Sequence, residues 1–93
     1  MLTVATALVL ALSPTATHPS LTCLSYNAYY EARGEPYTGQ IAVNQVALRR
    51  AAFDRDRVCA EVYRLGQFSW TADRKRPKPH GPAWTRAQRA ARD

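Results

Sequence analysis

A break between two helical patterns constrains the fold of this chain more than any other feature of its sequence. Before the break, apolar residues recur at spacings of three and four, at Leu21, Leu24 and Ala28. This spacing predicts a helix from about Leu21 to Ala32. Gly34 frees the backbone to turn, and Pro36 disfavours helical geometry at the residue before it. We therefore expect the first helix to end within a residue or two of Arg33.

The second helical pattern runs from Thr38 to Ala51, with Thr38 as its expected N-cap. Its stripe of small and apolar positions comprises Gly39, Ala42, Val43, Val46, Ala47 and Arg50, widened by Ile41 and Leu48. We expect this stripe to pack beneath the first helix. The polar positions Gln40, Asn44 and Gln45 are predicted on or near the opposite side of the helix, in contact with solvent. At most, one of them would face a substrate.

Shorter elements follow the second helix. A charged loop is expected at residues 53–57, and a short helix from Val58 to Tyr63 with Val58 and Val62 turned inward. Residues 72–82 contain three prolines and four cations, so they are unlikely to form a regular element. A last helix should begin at Pro82 and continue to about Arg92.

Length and charge limit the classes of protein. The 93 residues allow at most one small domain, and the patterns above make it mainly α. The formal net charge is +6, with the cations crowded towards the C-terminus. A basic surface attracts nucleic acid, anionic lipid or anionic cell-wall polymer, and charge alone does not choose among them. The sequence has no nucleic-acid-binding motif, and its two Cys and two His lack metal-ligand spacing. We expect no metal and no cofactor.

The first residues form an apolar leader. Residues 2–12 carry no charge, and a stretch rich in Ser, Thr and Pro follows them up to Ser20. We interpret residues 1–20 as a secretory signal with its processing zone, although only the amino terminus supplies positive charge. A helix packed on the domain and a short membrane-associated anchor remain as alternatives. The run is too short to span a bilayer, which takes roughly 20 residues. Export to the periplasm or cell envelope is thus predicted, with the domain at residues 21–93.

The only two cysteines are Cys23 and Cys59. Export favours one disulfide between them, which would enclose about 36 residues and contribute roughly 3 to 4 kcal/mol to stability through loop entropy. In a cytoplasmic protein, the same two residues would instead be buried free thiols.

Glu31 is the candidate for acid catalysis. It would lie on the last turn of the first helix, in line with Leu24 and Ala28, so its carboxyl is expected to point towards the core. Partly buried beside Tyr29 and Tyr30, such a carboxyl can keep its proton at neutral pH, which general acid catalysis requires.

The remaining carboxylates near the motif are expected to be structural. Glu35 lies beyond the turn, where it can pair with Arg33 or accept hydrogen bonds from the start of the next helix. Asp54 and Asp56 stand among arginines and are predicted to form ion pairs in a loop.

Polar and aromatic residues alternate from Gln67 to Thr71. In an extended segment, Gln67, Ser69 and Thr71 would share one face, and the rings of Phe68 and Trp70 would share the other. Carbohydrate sites need this combination of hydrogen-bonding groups and flat apolar surfaces. We expect Phe68 to fill the core rather than to contact a ligand.

Several of these stretches, taken together, are similar to a known family. They are Cys23-Leu24, residues 27–36, residues 39–43, Val58-Cys59, Val62-Tyr63 and residues 67–71. In this order they resemble the bacterial and phage cell-wall hydrolases of the spore cortex-lytic (SleB) type, over roughly residues 21–84. The resemblance implies a small, mainly α, lysozyme-like domain related to lytic transglycosylases. It also supports export and the pairing of Cys23 with Cys59.

The resemblance implies a function and a site. Many members of the family act as lytic transglycosylases on peptidoglycan glycan strands, and their catalytic glutamate falls here on Glu31. Tyr30, Gln67, Ser69 and Trp70 would bind the substrate, and Tyr30 would also orient Glu31. Glu35 is the candidate second carboxylate if water is the nucleophile. We expect a monomer that associates transiently with the anionic cell envelope.

Two other classes of function stay open. Family domains usually continue past the position of Asp93, so the domain is expected to be shortened at its C-terminus, and a glycan-binding remnant without activity is the first alternative. The second is a basic protein that binds nucleic acid or membranes. Its binding affinity would depend steeply on salt concentration and would not change when Glu31 is replaced.

Overall fold

The computed structural model of the protein describes residues 17–64 and 66–93. Within them the chain forms four α-helices, one short 3-10 helix and no strand: α1 (Pro19–Ala32), α2 (Tyr37–Arg50), α3 (Arg55–Val62), the 3-10 helix (Ser69–Ala72) and α4 (Gly81–Arg92). The predicted mainly α fold class is confirmed. The apolar run of the expected leader lies outside the described residues. No helix in the described part is both long and apolar enough to cross a membrane.

Helix α1 is the centre of the fold, since it contacts α2, α3, α4 and the 3-10 helix. It begins two residues earlier than predicted because His18 caps it: the ring nitrogen Nδ1 accepts a hydrogen bond from the backbone N–H of Ser20 at 3.1 Å. Pro19 occupies the first turn, where its missing N–H costs nothing. The helix ends at Ala32, as the Gly-Pro break predicts.

Apolar residues pack in two clusters around α1. One cluster, towards α2 and α3, consists of Leu24, Ala47, Ala51, Val58, Val62, Phe68 and Trp70. The other, towards α4, consists of Ala28, Tyr29, Ala87 and Ala90. The inward positions of Val58 and Val62 and the core position of Phe68 are confirmed. Most of these core side chains are small, so the fold has little apolar volume to hold it together.

A disulfide bond compensates for part of this small core. Cys23 of α1 and Cys59 of α3 are bonded, with Cα atoms 5.4 Å apart and a sequence separation of 36. The predicted disulfide is confirmed. It ties α3 to the N-terminal half of α1, and at the same end His18 Nε2 lies 3.0 Å from the carboxylate of Asp56.

The orientation predicted for α2 is wrong. The buried residues of this helix are Gln40, Asn44 and Ala47, whereas Ala42 and Val46 are exposed. The reason is that α1 presents the amide of Asn27, which bonds to Asn44, and the backbone carbonyl of Arg33, to which Gln40 donates. The N-cap is also wrong, because the helix begins after Pro36 with no side-chain cap.

The start of α3 and the segment from Gln67 to Thr71 also differ from expectation. Helix α3 begins at Arg55 because the carboxylate of Asp54 caps it, accepting from the backbone N–H of Asp56 at 3.0 Å. The expected extended segment is a turn followed by the 3-10 helix, so the predicted alternation of faces does not occur. Residues 73–80 are irregular, and α4 then begins at Gly81, both close to prediction.

Candidate active site

Glu31 lies on the last turn of α1 and is exposed to solvent. The prediction that its carboxyl is partly buried is therefore wrong. Helix α1 ends one residue later and the chain turns away, so no described element covers the side chain. The structure instead presents a carboxylate at the open end of the central helix.

A buried hydrogen-bond network fixes the helix one turn before Glu31. Asn27 and Glu31 are four residues apart and therefore share a face of α1. The side chain of Asn27 is fully buried; its Oδ1 accepts from the indole N–H of Trp70 at 3.0 Å. Its Nδ2 donates to Oδ1 of Asn44 and to the backbone carbonyl of Val43, both at 3.3 Å. The face that carries Glu31 is thus joined to α2 and to the 3-10 helix.

Gln40 joins the end of α1 to α2. It lies one turn before Asn44 on α2 and is 1% exposed. Its Nε2 donates to the backbone carbonyl of Arg33, the C-cap of α1, at 3.5 Å, the long limit of a hydrogen bond. Its Oε1 is buried and has no partner among the described residues. The amides of Asn44 and Gln40 therefore meet α1 on either side of the turn that bears Glu31.

Tyr30 belongs to an aromatic stack beside this face. Its ring stacks on Trp70, with ring centres 5.0 Å apart, and on Tyr26, at 6.2 Å. Its hydroxyl donates to the backbone carbonyl of Pro77, which attaches the loop before α4 to α1. Burial raises the pKa of Tyr30, although the positive charge of Arg76 opposes the shift. The hydroxyl is bonded to Pro77, and the described residues show no hydrogen bond between Tyr30 and Glu31.

The other predicted substrate-binding residues are divided between core and surface. Trp70 is 7% exposed, with its ring in the core and its N–H bonded to Asn27, so the expected open aromatic face is not present. The Oε1 atom of Gln67 is buried without a partner among the described residues, and Ser69 is exposed. Of these residues, Tyr30 and Trp70 are in contact, and both adjoin the segment of α1 that leads to Glu31.

Glu35 does not pair with Arg33. The guanidinium of Arg33 instead donates to the hydroxyl of Tyr29 at 2.9 Å and lies over its ring. The side chain of Glu35 lies against Gly39, where a Cβ would come within 3.1 Å of the Cβ of Glu35. A carboxylate beside the first turn of α2 is favourably placed for the positive end of the helix. Of the two structural roles expected for Glu35, the ion pair with Arg33 is wrong, and the position beside the start of α2 suits the other.

Three further carboxylates have structural partners. Asp54 caps α3, and Asp56 contacts His18 rather than an arginine, which corrects the expected loop ion pairs. Glu61 is buried, with Oε1 2.9 Å from a guanidinium nitrogen of Arg64 and with Oε2 unpartnered among the described residues. The described part of the chain has no group of three or more His, Cys, Asp or Glu suited to a metal ion.

The comparison with family models identifies the family. A model described as Cell Wall Hydrolase matches residues 34–93, which is more than half of the chain. This chain belongs to the cell wall hydrolase family. Membership supports an enzyme that acts on peptidoglycan, and the helical fold described above agrees with a small lysozyme-like domain of this kind. No curated protein and no solved structure matches the chain.

The matched segment starts after Glu31. It begins at Gly34, three residues after Glu31, and includes Glu35, Gln40 and Trp70. Glu31 therefore lies outside the matched segment.

Sequence reasoning missed the three amides that surround the Glu31 turn. It identifies Asn27 only as part of the motif, and it predicts Gln40 and Asn44 on the solvated side. A signal existed, because Asn27 stands four residues before Glu31 and Gln40 four before Asn44. Residues four apart lie on one face of a helix, so each pair marks a polar stripe. The charge of the basic segment around Arg76 was visible in the sequence, but its position against Tyr30 and Trp70 was not.

Proposed function

We propose that this protein is a lytic transglycosylase of the SleB type, which cleaves the bond between N-acetylmuramic acid and N-acetylglucosamine with Glu31 as its single acid and base. The observation that carries the proposal is the position of Glu31: an exposed carboxyl on the last turn of a central helix whose preceding turn is fixed by Asn27. A large polymer can reach an exposed group, and a rigid support keeps that group in place for catalysis.

The proposed reaction needs one carboxyl. Glu31 donates its proton to the bridging oxygen as the bond to C1 of the muramic acid breaks. The carboxylate then accepts the proton of the C6 hydroxyl of the same sugar while that oxygen bonds to C1. The products are a 1,6-anhydro sugar and a free hydroxyl on N-acetylglucosamine, and Glu31 regains its proton.

Four of the other carboxylates have structural positions, which supports a mechanism with a single carboxyl. Hydrolytic glycosidases usually hold two carboxyl groups about 5 to 9.5 Å apart, the second of which attacks the sugar or activates water. Asp54, Asp56 and Glu61 have structural partners on α3 or beside it. Glu35 lies against the first turn of α2. A single-carboxyl mechanism therefore requires no rearrangement of these groups.

The product distinguishes the mechanisms. Purified peptidoglycan is incubated with the oxidised protein lacking residues 1–16, or with its Glu31→Gln or Glu35→Gln variant, and the fragments are analysed by mass spectrometry. We expect anhydro-muramyl fragments from the parent and from Glu35→Gln, and none from Glu31→Gln. Reducing-end products that disappear in Glu35→Gln would refute the transglycosylase mechanism in favour of hydrolysis.

Glycan binding without cleavage is the second candidate function. The rings of Tyr26 and Tyr30 beside a cleft with three cations favour it, because they offer a binding surface that needs no catalytic group. In that case the parent and Glu31→Gln would bind peptidoglycan equally well and neither would release fragments.

A further inference from the structure

A basic cleft lies beside the aromatic stack, on the flank of α1 next to the face that carries Glu31. It has a volume of about 290 Å³ and is lined by Tyr26, Tyr30, Arg74, Arg76, Lys78 and Pro79. Its two tyrosines are four residues apart on α1, and they form a stripe adjacent to that of Asn27 and Glu31. Neighbouring residues on a helix are separated by about 100°. The cleft therefore lies about 100° around α1 from the stripe that carries Glu31.

The guanidinium of Arg76 is held in place within this cleft. It lies 5.5 Å from the ring centre of Tyr30 and 5.1 Å from that of Trp70. One of its nitrogens, Nη1, donates to the backbone carbonyl of Asp73 at 2.9 Å. A guanidinium has five N–H donors in a planar fork, so donors remain for a ligand. Stacking fixes the plane of the fork in advance of binding, which reduces the entropy that binding costs.

The cations of the cleft lack carboxylate partners in the described part of the chain. The ion pairs there join His18 to Asp56 and Glu61 to Arg64. Asp73, the acidic residue next to the cleft, accepts a hydrogen bond from the backbone N–H of Lys75. The loop that carries the cations is itself attached to α1, through the hydroxyl of Tyr30 and the carbonyl of Pro77.

We propose that the basic cleft binds the carboxylates of the peptide stems of peptidoglycan. The inference rests on the proposed function, because the stem in the cleft would belong to the same glycan strand that has a sugar at Glu31. Arginine forks bind carboxylates through two parallel hydrogen bonds, and the tyrosine rings offer an apolar surface to the stem. Phosphates of anionic wall polymers share this oxyanion chemistry, so the test must separate the two sources.

The test measures binding in the Glu31→Gln background, where the ligand stays intact. Calorimetric titrations use a soluble disaccharide with its peptide stem, the same disaccharide without the stem, and a phosphate-rich wall polymer. The cleft variant is Arg76→Gln with Lys78→Gln, which removes the guanidinium fork and a second cation; circular dichroism and the denaturation midpoint check that the variant keeps the fold. The matched control is Arg55→Gln with Arg57→Gln, which removes the same charge from the first turn of α3, beside the opposite end of α1.

We expect the peptide-bearing ligand to bind at least about tenfold more tightly than the bare disaccharide, since charge-assisted hydrogen bonds distinguish the two. The cleft variant should lose this preference, and the control pair should keep it. Equal affinity for the two disaccharides, a preference that survives in the cleft variant, or a wall polymer that binds more tightly than the peptide-bearing ligand would each overturn the proposal. Loss of the preference in both variant pairs would also overturn it, as that result indicates nonspecific attraction to net charge.

The outcome is independent of whether the protein cleaves glycan. If the parent releases no fragments from peptidoglycan, the proposed transglycosylase activity fails, while the preference for the peptide stem can still be measured. If the parent cleaves and the preference is absent, the cleft proposal fails and the enzyme proposal remains.

Discussion

Replacing Asn27 by alanine tests the buried network on which the placement of Glu31 depends. The substitution leaves two buried groups without their partner, the indole N–H of Trp70 and Oδ1 of Asn44. An unsatisfied buried polar group costs roughly 1 to 3 kcal/mol, so we expect a loss of about 2 to 6 kcal/mol in the free energy of unfolding. Because small domains are stable by only about 5 to 15 kcal/mol, this is a large effect.

The assay is urea unfolding followed by far-UV circular dichroism, with a double-mutant cycle. Trp70→Phe removes the donor, so the cost of Asn27→Ala should fall in the Trp70→Phe background, with a coupling of about 0.5 to 3 kcal/mol. Thr38→Ala is the control: this exposed residue makes no cap, and its replacement should change stability by no more than about 0.5 kcal/mol. A cost of Asn27→Ala below about 1 kcal/mol, with an unchanged denaturant slope, would refute the network.

Three more predictions concern stability. Replacing Cys23 and Cys59 together by alanine should lower the free energy of unfolding by about 4 kcal/mol, because a bridge across 36 positions no longer restricts the unfolded chain; a denaturation midpoint that matches the oxidised parent would contradict this. The pKa of Tyr30 is raised in the folded state, so its contribution to the free energy of unfolding is present below about pH 10 and is lost as the pH rises through the raised pKa. The melting temperature should therefore fall at alkaline pH, and Tyr30→Phe should flatten this fall. An identical fall in the variant would count against the prediction. Gly66 has φ of +81° and open space around it, so Gly66→Ala should lower the free energy of unfolding, measured with denaturant, by about 1 kcal/mol. An unchanged free energy of unfolding would exclude the left-handed backbone at this residue.

The sequence predicted the helices well because their signals are local. The Gly34–Pro36 break, the inward valines of α3 and the proline that starts α4 each depend on a few neighbouring residues, and α1 ends where the break requires. The disulfide could also be inferred, since a chain with two cysteines allows a single pairing.

The environment of the site could not be predicted in the same way. Hydropathy placed Gln40 and Asn44 in solvent, but the face that α2 buries is decided by Asn27 on another helix. The exposure of Glu31 likewise depends on which elements pack near the end of α1 in space, and periodicity does not describe that packing. The alternation of polar and aromatic residues predicts that Trp70 contacts a ligand, but its N–H donates to the buried Oδ1 of Asn27, which holds the ring in the core.

The most direct test of the account is the rate at which the protein releases soluble fragments from purified peptidoglycan, compared with the rate for Glu31→Gln. Because Glu31 is exposed, the variant should fold like the parent, which circular dichroism and the denaturation midpoint will check. Loss of a general acid lowers rates by about 100-fold to 10,000-fold, and we predict a loss in this range. A folded Glu31→Gln variant that releases fragments at the rate of the parent would contradict the central claim.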